Sequence, residues 1–589
     1  MHILSKFLPF VNGTEGVNTM FKSKKIASLL AFVLLLTMIL STVALVSCDN
    51  PVIIIKKTTT GDGEKLNDPI FDPIDDNYRT LYQIYVRSFA DSNGDGVGDI
   101  RGIIETFDYL NDGDMANGND LGVQAIWLTP IFHGNSAHKY DAIDFYSIDP
   151  EFGTEEDLAE LIALCNERNV KLIFDLALNH TSTSNEWFKE FKKAHQNNNT
   201  SSKYYNFYSW STTKVNDGYV KVNDQNLWYE SWFDSQGSMP ELNYDNQAVK
   251  NEMLNVAKYW MDMGVDGFRF DAIKHIYTIN ANQEKFDHSK NASFYNWYTS
   301  QLRKLYPDIY LVGECWTDEA TMLEYYKSLD CFNFSTAQNG KIASAARGQG
   351  AVSTFVDAVS NLQQKITAKR SDAMISLFLS NHDQNRSAGY ITNDNYRKMA
   401  ASLYLLTPGT PVIYYGEEIG LLGAGDCRDG ANYRLPMKWG DVWTCEVPGY
   451  QTYLKGDKLE YYFDYEDVND TVYEQQRDED SLMRHYAKVL NIRHTYPAIA
   501  RGTYKPLYSG KSTFGGFLVD YNNDDVIILH NTSASETVTF DLKSLKSSNN
   551  SMILSGYSTF EILDYVGVND ASISGTTLTL GPQTTVIIK

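Results

Sequence analysis

Eight short apolar runs, separated by helical segments, constrain the fold of this 589-residue chain more than any other feature. Parallel strands that are buried on both faces read as continuous apolar runs, and helices usually connect them. Eight such runs predict an α/β fold, a (β/α)8 TIM barrel. The predicted strands are Leu81–Val86, Gln124–Leu128, Lys171–Leu178, Gly267–Asp271, Ile309–Gly313, Cys331–Phe334, Met374–Leu379 and Pro411–Tyr415.

Two of the connecting segments carry specific helix signals. Thr154 precedes an acidic turn and can cap a helix that ends before Lys171, with Cys165 on its apolar stripe. The segment 247–263 repeats apolar residues at helical spacing and then meets Gly264, a residue typical of helix ends. Both segments are therefore predicted to be helices between barrel strands.

Two regions interrupt this rhythm and divide the chain into domains. Residues 181–246, rich in Asn, Ser, Tyr and Trp, are predicted to form an insertion (domain B) after the third strand. After Tyr496, strand-like runs such as 526–529 and 537–540 alternate with Asn- and Ser-rich turns. They predict a C-terminal antiparallel β-sandwich over 497–589, which leaves 78–180 and 247–496 for the barrel.

The N-terminal segment indicates export from the cell. Three lysines at 22, 24 and 25 precede an apolar run over 26–46, which is typical of a signal peptide. A transmembrane anchor is the alternative, because the run approaches the roughly 20 residues that span a bilayer. Leu45-Val46-Ser47-Cys48 resembles the bacterial lipobox, in which the cysteine is lipidated. We therefore expect a signal peptide over 1–47 with its true start at Met20, a lipid anchor at Cys48, a linker over 48–77, and a protein on the outer face of the cell membrane.

Charge and cysteine content restrict the possible partners. The chain has 51 basic and 74 acidic residues, a net charge of −23, which argues against a nucleic-acid partner. The charge suits a soluble protein with a neutral ligand, and we expect a monomer. Aromatic residues make up 13% of the chain, and they can either stack on sugars or fill a core. Five cysteines besides Cys48 cannot all pair, although Cys427 and Cys445 could pair across one loop.

Polar residues gather where four of the predicted strands end. The segments concerned are 175–180 (Asp-Leu-Ala-Leu-Asn-His), 267–275 (Gly-Phe-Arg-Phe-Asp-Ala-Ile-Lys-His), 312–316 (Val-Gly-Glu-Cys-Trp) and 380–386 (Ser-Asn-His-Asp-Gln-Asn-Arg). In such barrels the carboxyl ends of the strands meet at one mouth, where catalytic residues lie. Several carboxylates at one mouth repel one another, so their presence there points to chemistry.

These four segments, in this order, resemble the four sequence regions of the α-amylase family, glycoside hydrolase family 13. Two further segments share the resemblance, which covers roughly residues 78–589. Met239-Pro240-Glu241-Leu242-Asn243 is similar to the motif that closes the family's inserted domain, and residues 409–418 resemble the segment around strand eight.

The resemblance implies three catalytic acids. Asp271 would be the nucleophile, Glu314 the acid/base, and Asp383 the third acid, which stabilises the transition state. Cleavage with retention needs one ionised carboxylate that attacks the sugar and one protonated carboxyl that protonates the departing oxygen. Arg269 lies on the same strand face as Asp271, so we expect its charge to keep Asp271 ionised. The pKa of Glu314 should be raised.

The resemblance also implies a set of substrate contacts. Tyr140 would stack beneath the sugar in the cleavage subsite, and His180 and His382 would bind its hydroxyl groups. On the leaving-group side, the glucose would contact Lys274 and His275. Asp141 could bind hydroxyl groups or only brace its loop, in which Lys139 occupies a position where many relatives have Gly.

A loop after the first strand has oxygen ligands at alternate positions, which predicts a calcium site. The expected ligands are Asp91, Asn93, Asp95, the Val97 carbonyl and Asp99. The loop begins like an EF-hand, but Gly102 stands at position twelve instead of Glu. An Asn/Gly turn without metal is the alternative, and a second calcium ion near Asn179 is left open.

We therefore expect a retaining, endo-acting α-amylase that hydrolyses α-1,4 bonds in starch and maltooligosaccharides. Ala272 and Lys274-His275 resemble the α-1,4-acting branches, whereas Glu241 replaces the more usual Asp. The alternatives within the family are a neopullulanase, an oligo-α-glucosidase and a 4-α-glucanotransferase. A catalytically inactive starch-binding lipoprotein is the alternative of another class, and the three intact acids argue against it.

Overall fold

The computed structural model describes residues 79–114, 117–223, 225–232, 237–278, 286–423, 432–446, 471–522 and 525–589. The expected signal peptide, Cys48, the linker and Cys427 lie outside these ranges and remain predictions. Within the described ranges, no helix is both long and apolar enough to cross a bilayer. The four described cysteines, at 165, 315, 331 and 445, are buried and form no disulfide with one another.

Eight parallel strands form one sheet that closes on itself, which confirms the predicted barrel. The strands are β1 (Leu81–Ile84), β2 (Ala125–Leu128), β3 (Lys171–Leu176), β4 (Gly267–Phe270), β5 (Tyr310–Gly313), β6 (Asp330–Phe332), β7 (Ile375–Ser376) and β8 (Val412–Tyr414). Each strand pairs with the next along the chain as far as β7, and β8 pairs with β1. A parallel bridge from Phe378 to Val412 closes the remaining gap between β7 and β8.

Side chains fill the interior of the barrel, so the barrel is a packed core and not a channel. The buried residues of this core are Leu81, Ala125, Trp127, Ile173, Tyr310, Val312, Phe332, Ala337, Phe378 and Val412. Trp127 stacks on Phe332 with a ring separation of 5.3 Å. Chemistry is therefore confined to the mouth formed by the strand ends.

Helices surround the barrel. They span Ile100–Glu105, Phe107–Leu110, Glu155–Glu167, Gln247–Met263, His288–Leu305, Glu319–Tyr325, Lys341–Ala346, Val352–Thr367, Ser387–Tyr390, Asp394–Leu405, Val472–Gln475, Leu482–Thr495 and Pro497–Arg501, with short 3-10 turns at Val86–Ser88 and Ile273–His275. Thr154 forms a capping box with Asp157, and Gly264 ends its helix at a φ of 114°, so both helix signals are confirmed. Cys165 is buried, as its position on the apolar stripe predicts.

Two insertions rise from the carboxyl ends of neighbouring strands. After β2 comes a hairpin of Phe132–Gly134 and Ala142–Ile148, which the sequence pattern did not predict. The region after β3 contains a helix, Glu186–Gln196, and a three-stranded antiparallel sheet of Trp210–Ser211, Tyr219–Lys221 and Trp228–Glu230. The closing segment of that region returns to β3, because the Leu242 N–H donates to the Asn179 carbonyl at 2.9 Å.

The C-terminal region is the predicted antiparallel β-sandwich. One sheet contains Thr503–Tyr508, Phe514–Asp520, Val526–Asn531, Thr584–Ile588 and Ile562–Gly567, and the other contains Val538–Asp541, Thr577–Leu580 and Ala571–Ser574. A 3-10 turn spans Leu542–Ser544. Leu529 and Val586 of the first sheet share one buried core with Val538 and Leu578 of the second.

A buried carboxyl group just after β8 joins the barrel to its outer helices. Glu417 accepts hydrogen bonds from Tyr404 at 2.7 Å, Ser380 at 2.9 Å and Tyr486 at 3.1 Å. Tyr404 and Tyr486 lie on two different helices, whereas Ser380 follows β7. Because a buried carboxyl group needs hydrogen-bond donors, this arrangement fixes the position of both helices against the barrel.

Candidate active site

One buried arginine at the mouth of the barrel binds three carboxyl groups. Arg269, on β4, is 1% exposed, and its Nη1 atom lies 2.8 Å from Asp175 Oδ1 and 2.7 Å from Asp271 Oδ1. Its Nη2 atom lies 3.0 Å from Glu314 Oε2. The parallel register places Asp175 of β3 directly beside Arg269. The ends of three consecutive strands therefore meet at a single guanidinium.

The backbone after β4 also connects the two expected catalytic acids. Ala272 follows Asp271 and has a φ of 45°, in the left-handed region that most side chains avoid. Its N–H donates to Glu314 Oε2 at 3.1 Å, and the next N–H, of Ile273, donates to the Glu314 carbonyl at 3.1 Å. This strained turn lies between the expected nucleophile and the expected acid/base, and such strain is common at functional sites.

Asp175 lies at the bottom of the site, and the sequence motifs predicted no functional role for it. Its Oδ2 atom accepts hydrogen bonds from Trp127 Nε1 at 3.1 Å and from the Tyr140 hydroxyl at 2.8 Å. Burial raises the pKa of Asp175, and the Arg269 charge opposes that shift. Asp175 therefore orients both Arg269 and Tyr140 from below.

Tyr140 lies parallel to His382, with ring centres 5.6 Å apart. The Tyr140 hydroxyl is 2.8 Å from His382 Nε2, which in turn is 3.0 Å from Asp383 Oδ2. Gln83 Nε2 contacts the other ring nitrogen of His382 at 2.7 Å. The structure thus brings the expected stacking residue and the third acid together around one imidazole.

Arg434 supplies a second cation to the site. Its Nη2 atom binds Asp383 Oδ1 at 2.8 Å, and its Nε donates to the His382 carbonyl at 2.9 Å. Arg434 follows β8 and is 51 residues from Asp383 in the chain. No motif in the sequence singles it out. Arg434 is therefore a site residue that sequence reasoning missed.

The other expected sugar contacts line the same mouth. His180 Nε2 is 3.1 Å from the Tyr140 carbonyl, and the His180 ring stacks on Trp232 at 6.2 Å. Asp141 Oδ1 accepts hydrogen bonds from the N–H and the hydroxyl of Ser136. The bracing role that the sequence left open for Asp141 therefore has a structural basis.

Of the two residues expected on the leaving-group side, His275 contacts the same Trp232 ring as His180, whereas Lys274 contacts Trp316. Lys274 Nζ donates to the Trp316 carbonyl at 2.6 Å, whereas the Trp316 ring is 45% exposed and stacks on Phe334 at 4.8 Å. His275 packs against Trp232 with ring centres 4.0 Å apart. Burial lowers the pKa of His275 to about 2, so this imidazole is neutral. Trp316, two residues after Glu314, is an exposed ring that the sequence assigned to no role.

The three acids differ in the pKa that their surroundings impose. Burial raises the pKa of Asp271 to about 6, although the Arg269 charge pulls it downward. Burial, opposed by Arg269 and assisted by the charge of Asp271, raises the pKa of Glu314 to about 7. Burial also acts on Asp383, but His382 and Arg434 outweigh it and hold that pKa well below its ordinary range. Glu314 is thus the group most easily protonated near neutral pH, as a general acid requires.

The predicted calcium loop is stabilised by hydrogen bonds from its own backbone. Asp91 Oδ1 accepts from the Gly94 N–H at 2.7 Å, and Asp91 Oδ2 from the Gly96 N–H, also at 2.7 Å. Asp99 caps the helix Ile100–Glu105 and accepts from the Ser92 hydroxyl at 2.9 Å. In the described parts of the chain, no three His, Cys, Asp or Glu side chains are close enough together to hold a metal. Carboxylate and amide oxygens at alternate positions nevertheless form a donor set that suits calcium chemically.

Two further carboxyl groups, the buried Glu241 and the half-buried Glu230, lie at the segment that returns to β3. Glu241 pairs with His180 across an antiparallel bridge, and its N–H donates to the Glu230 carbonyl at 2.9 Å. Burial and the neighbouring Glu230 raise the pKa of Glu241 well above its ordinary value. Glu241 Oε1 is buried and accepts no hydrogen bond from the described residues, whereas Glu230 accepts one from Thr278 at 3.0 Å.

Comparison with known proteins agrees with this arrangement. The family model "Alpha amylase, catalytic domain" matches residues 83–502. Alpha-amylase 3 of Dictyoglomus thermophilum is 33% identical over 526 residues, which cover 86% of this chain and 92% of that protein. An oligo-1,6-glucosidase of Bacillus cereus is 28% identical over 529 residues, covering 78% and 91%. The solved structure of Eubacterium rectale Amy13B superposes with a TM-score of 0.76 at 30% identity, covering 88% of this chain and 96% of that one.

The family match extends over most of the chain and includes all four strand-end segments. The relatives share the fold over nearly their whole length. The chain therefore belongs to the α-amylase family of glycoside hydrolases, glycoside hydrolase family 13.

Proposed function

We propose that the protein is a retaining, endo-acting α-amylase that hydrolyses α-1,4-glucosidic bonds in starch and maltooligosaccharides. The observation that carries the proposal is that one guanidinium holds Asp271 and Glu314 on neighbouring nitrogens. This arrangement suits the short carboxyl separation of retaining enzymes, about 5–5.5 Å. The higher pKa lies on Glu314, the group that must donate a proton.

In the first step, ionised Asp271 attacks the anomeric carbon while Glu314 protonates the departing glycosidic oxygen. Arg269 stabilises the negative charge on Asp271 before the attack and loses that partner as the glycosyl ester forms. The loss of this charge removes one of the influences that raise the pKa of Glu314. Glu314, now ionised, is then suited to accept a proton from water in the second step.

Asp383 has a different role because its contacts with His382 and Arg434 hold its pKa low and keep it ionised. Arg434 binds one of its oxygens and His382 the other, so the carboxylate is fixed in place beside Tyr140. A fixed negative charge at this position stabilises the positive charge that develops on the sugar ring. Tyr140 supplies an aromatic face below that ring.

The chain length and linkage of the substrate depend on the groups on the leaving-group side. Lys274 and the exposed ring of Trp316 provide a polar group and a stacking surface there, next to Glu314. Such a surface suits a continuing glucan chain and therefore internal cleavage. A neopullulanase, an oligo-α-glucosidase or a 4-α-glucanotransferase uses the same acids, and the relatives include an oligo-1,6-glucosidase.

Product analysis on amylose, pullulan and isomaltose separates these activities. We expect short maltooligosaccharides from amylose within the first minutes, with little free glucose, because the enzyme cleaves internally. Panose from pullulan would indicate a neopullulanase, rapid cleavage of isomaltose a glucosidase, and longer glucans from maltotriose a transferase. Each of these outcomes would contradict the proposed α-amylase.

Asp271→Asn should lower kcat on amylose by about 10⁴-fold or more, because the amide cannot form the glycosyl ester. Asp262→Asn is the matched control, since Asp262 is half exposed and bonds to Lys258 on the outer surface. The control should keep wild-type kinetics. Full activity of Asp271→Asn would disprove the assignment of the nucleophile.

The pH dependence of kcat/KM should be bell-shaped, with a maximum between about pH 6 and 7. Below pH 6 Asp271 becomes protonated and cannot attack, and above pH 7 Glu314 becomes ionised and cannot donate its proton. Initial rates on a chromogenic maltooligosaccharide from pH 4 to 9 test this. For Glu314→Gln, the pH profile measured with a substrate that has an activated leaving group should lose its alkaline limb and keep its acidic limb. An unchanged alkaline limb would show that ionisation of a residue other than Glu314 causes the loss of activity at high pH.

We also propose that the enzyme binds calcium at Asp91, Asn93, Asp95, the Val97 carbonyl and Asp99. The loop contacts a distant segment, since the Glu446 N–H donates to the Gly96 carbonyl at 2.7 Å. Calcium bound there would neutralise the loop carboxylates and stabilise this contact. Near Asn179, the half-buried Glu230 and the buried Glu241 offer oxygen ligands for a second ion, whereas a proton shared between them is the alternative without metal.

Removal of calcium by a chelator should lower the midpoint of thermal unfolding by several degrees, because a ligand bound only to the folded state stabilises it. Metal analysis of Asp91→Asn should show the loss of one calcium per chain. Glu241→Gln should lose a second calcium if that site binds metal, and none if the two acids share a proton. Wild-type protein without calcium and insensitive to the chelator would refute the calcium proposal.

The cell-surface location rests on the lipobox resemblance. We propose that Cys48 carries the lipid and holds the enzyme on the outer face of the membrane, where starch is available. Cys48→Ala should release active enzyme into the medium, whereas the wild type should remain in the membrane fraction. Retention of Cys48→Ala in the membrane would instead favour the apolar run 26–46 as a transmembrane anchor.

A further inference from the structure

The loop that carries Tyr140 contains a lysine in an unfavourable position. Lys139 has a φ of 58°, in the left-handed region where Gly is preferred. Its side chain is only 3% exposed, and burial of an ammonium group without partners is strongly unfavourable. Both features oppose a lysine here, so strong local contacts must compensate for them.

Those contacts are two hydrogen bonds and an ion pair, which place three oxygen atoms around the ammonium group. Lys139 Nζ lies 2.9 Å from Asp149 Oδ2, 2.6 Å from Glu151 Oε2 and 3.1 Å from the Gly134 carbonyl. Asp149 is only 4% exposed, so its contact with Lys139 is shielded from solvent. Gly134 and Lys139 lie near the two ends of one loop, and the ammonium group ties that loop to the segment after the hairpin.

The acidic partners are themselves fixed to the backbone. Asp149 accepts hydrogen bonds from the Gly134 N–H and the Glu151 N–H, each at 3.0 Å. Arg87, which follows β1, binds Glu151 at 3.2 Å. The Lys139 ammonium therefore binds a rigid acceptor, and the position of the loop is set relative to the barrel.

The next residue along the chain reaches the catalytic groups. The Tyr140 hydroxyl bonds to Asp175, and its carbonyl is 3.1 Å from His180 Nε2. Two adjacent residues thus contact different parts of the molecule. Lys139 binds the acids after the hairpin, and Tyr140 binds Asp175 at the bottom of the site. Any movement of the loop that follows loss of the Lys139 contacts must move Tyr140.

We propose that Lys139 is a positioning residue for the reaction: its buried ammonium group fixes loop 134–141 so that the Tyr140 ring is held at the right height beneath the sugar. The inference rests on the proposed function in one respect, since Tyr140 is taken to contact the sugar being cleaved. Misplacement by 1 Å can cost an enzyme about 10²-fold in rate, so a contact one residue away can control catalysis without touching the substrate.

A double-mutant cycle tests whether Lys139 acts through Tyr140. Lys139→Met removes the ammonium group and keeps an unbranched side chain only one atom shorter, and Tyr140→Ala removes the ring. We expect each single variant to lower kcat/KM on a chromogenic maltooligosaccharide by about 10- to 100-fold. The double variant should be no more than about threefold worse than Tyr140→Ala alone, because the ring that Lys139 positions is then already absent.

Three further variants separate positioning from ordinary stabilisation. Lys193→Met is the control, since Lys193 is 64% exposed on the helix Glu186–Gln196, and it should keep wild-type kinetics. Lys139→Arg should recover part of the activity, because it restores a cation. Lys139→Gly relieves the left-handed backbone and should unfold at a higher temperature than Lys139→Met, with the same loss of kcat/KM.

The proposal would be overturned if the fold-losses in kcat/KM of the two single variants multiplied in the double variant. It would also be overturned if Lys139→Met unfolded at a lower temperature but kept the wild-type kcat/KM. If the wild type cleaves another glycoside, the cycle is measured with that substrate. If it cleaves none, the proposed function fails, and the same cycle is measured as maltotetraose affinity by calorimetry. Failure of the function and failure of the positioning role therefore give different results.

Discussion

The structure depends on the burial of one positive charge, the Arg269 guanidinium, among three carboxyl groups. An unpaired charge at this depth would be highly unfavourable, so Arg269 requires acids at the ends of both neighbouring strands. The parallel register meets this requirement, because it sets Asp175 beside Arg269 and brings Glu314, after β5, within 3.0 Å. The paired strands β3, β4 and β5 therefore supply part of the barrel wall and also the ion cluster of the site.

The cluster contains more negative than positive groups, and this imbalance gives the acids different properties. Arg269 is shared by Asp175, Asp271 and Glu314, whereas Asp383 has Arg434 as its own partner. Burial then raises the pKa values of Asp175, Asp271 and Glu314, whereas His382 and Arg434 hold that of Asp383 low. Arg269 is shared among three carboxyl groups, whereas Asp383 also has Arg434, so Asp383 stays ionised while the pKa values of Asp271 and Glu314 are raised.

The loops that surround this cluster are fixed by a second set of buried polar contacts. Lys139 joins its loop to Asp149, and Glu417 joins two outer helices to the end of β8. Such contacts are strong only when every donor and acceptor is satisfied, which makes them specific to one geometry. The contacts of Lys139 therefore favour one position of the loop that carries Tyr140.

The sequence by itself determined the eight strands, the capped helices and the acids at the strand ends, because apolar periodicity and capping are local properties. It did not determine that Arg434 contacts Asp383, which is 51 residues away in the chain, or that the Lys139 ammonium group contacts Asp149. Nor did it show that Asp271 has a raised pKa, since burial by distant segments outweighs the adjacent Arg269. These features depend on which residues approach one another in space and how completely they exclude water, and only the tertiary structure decides that.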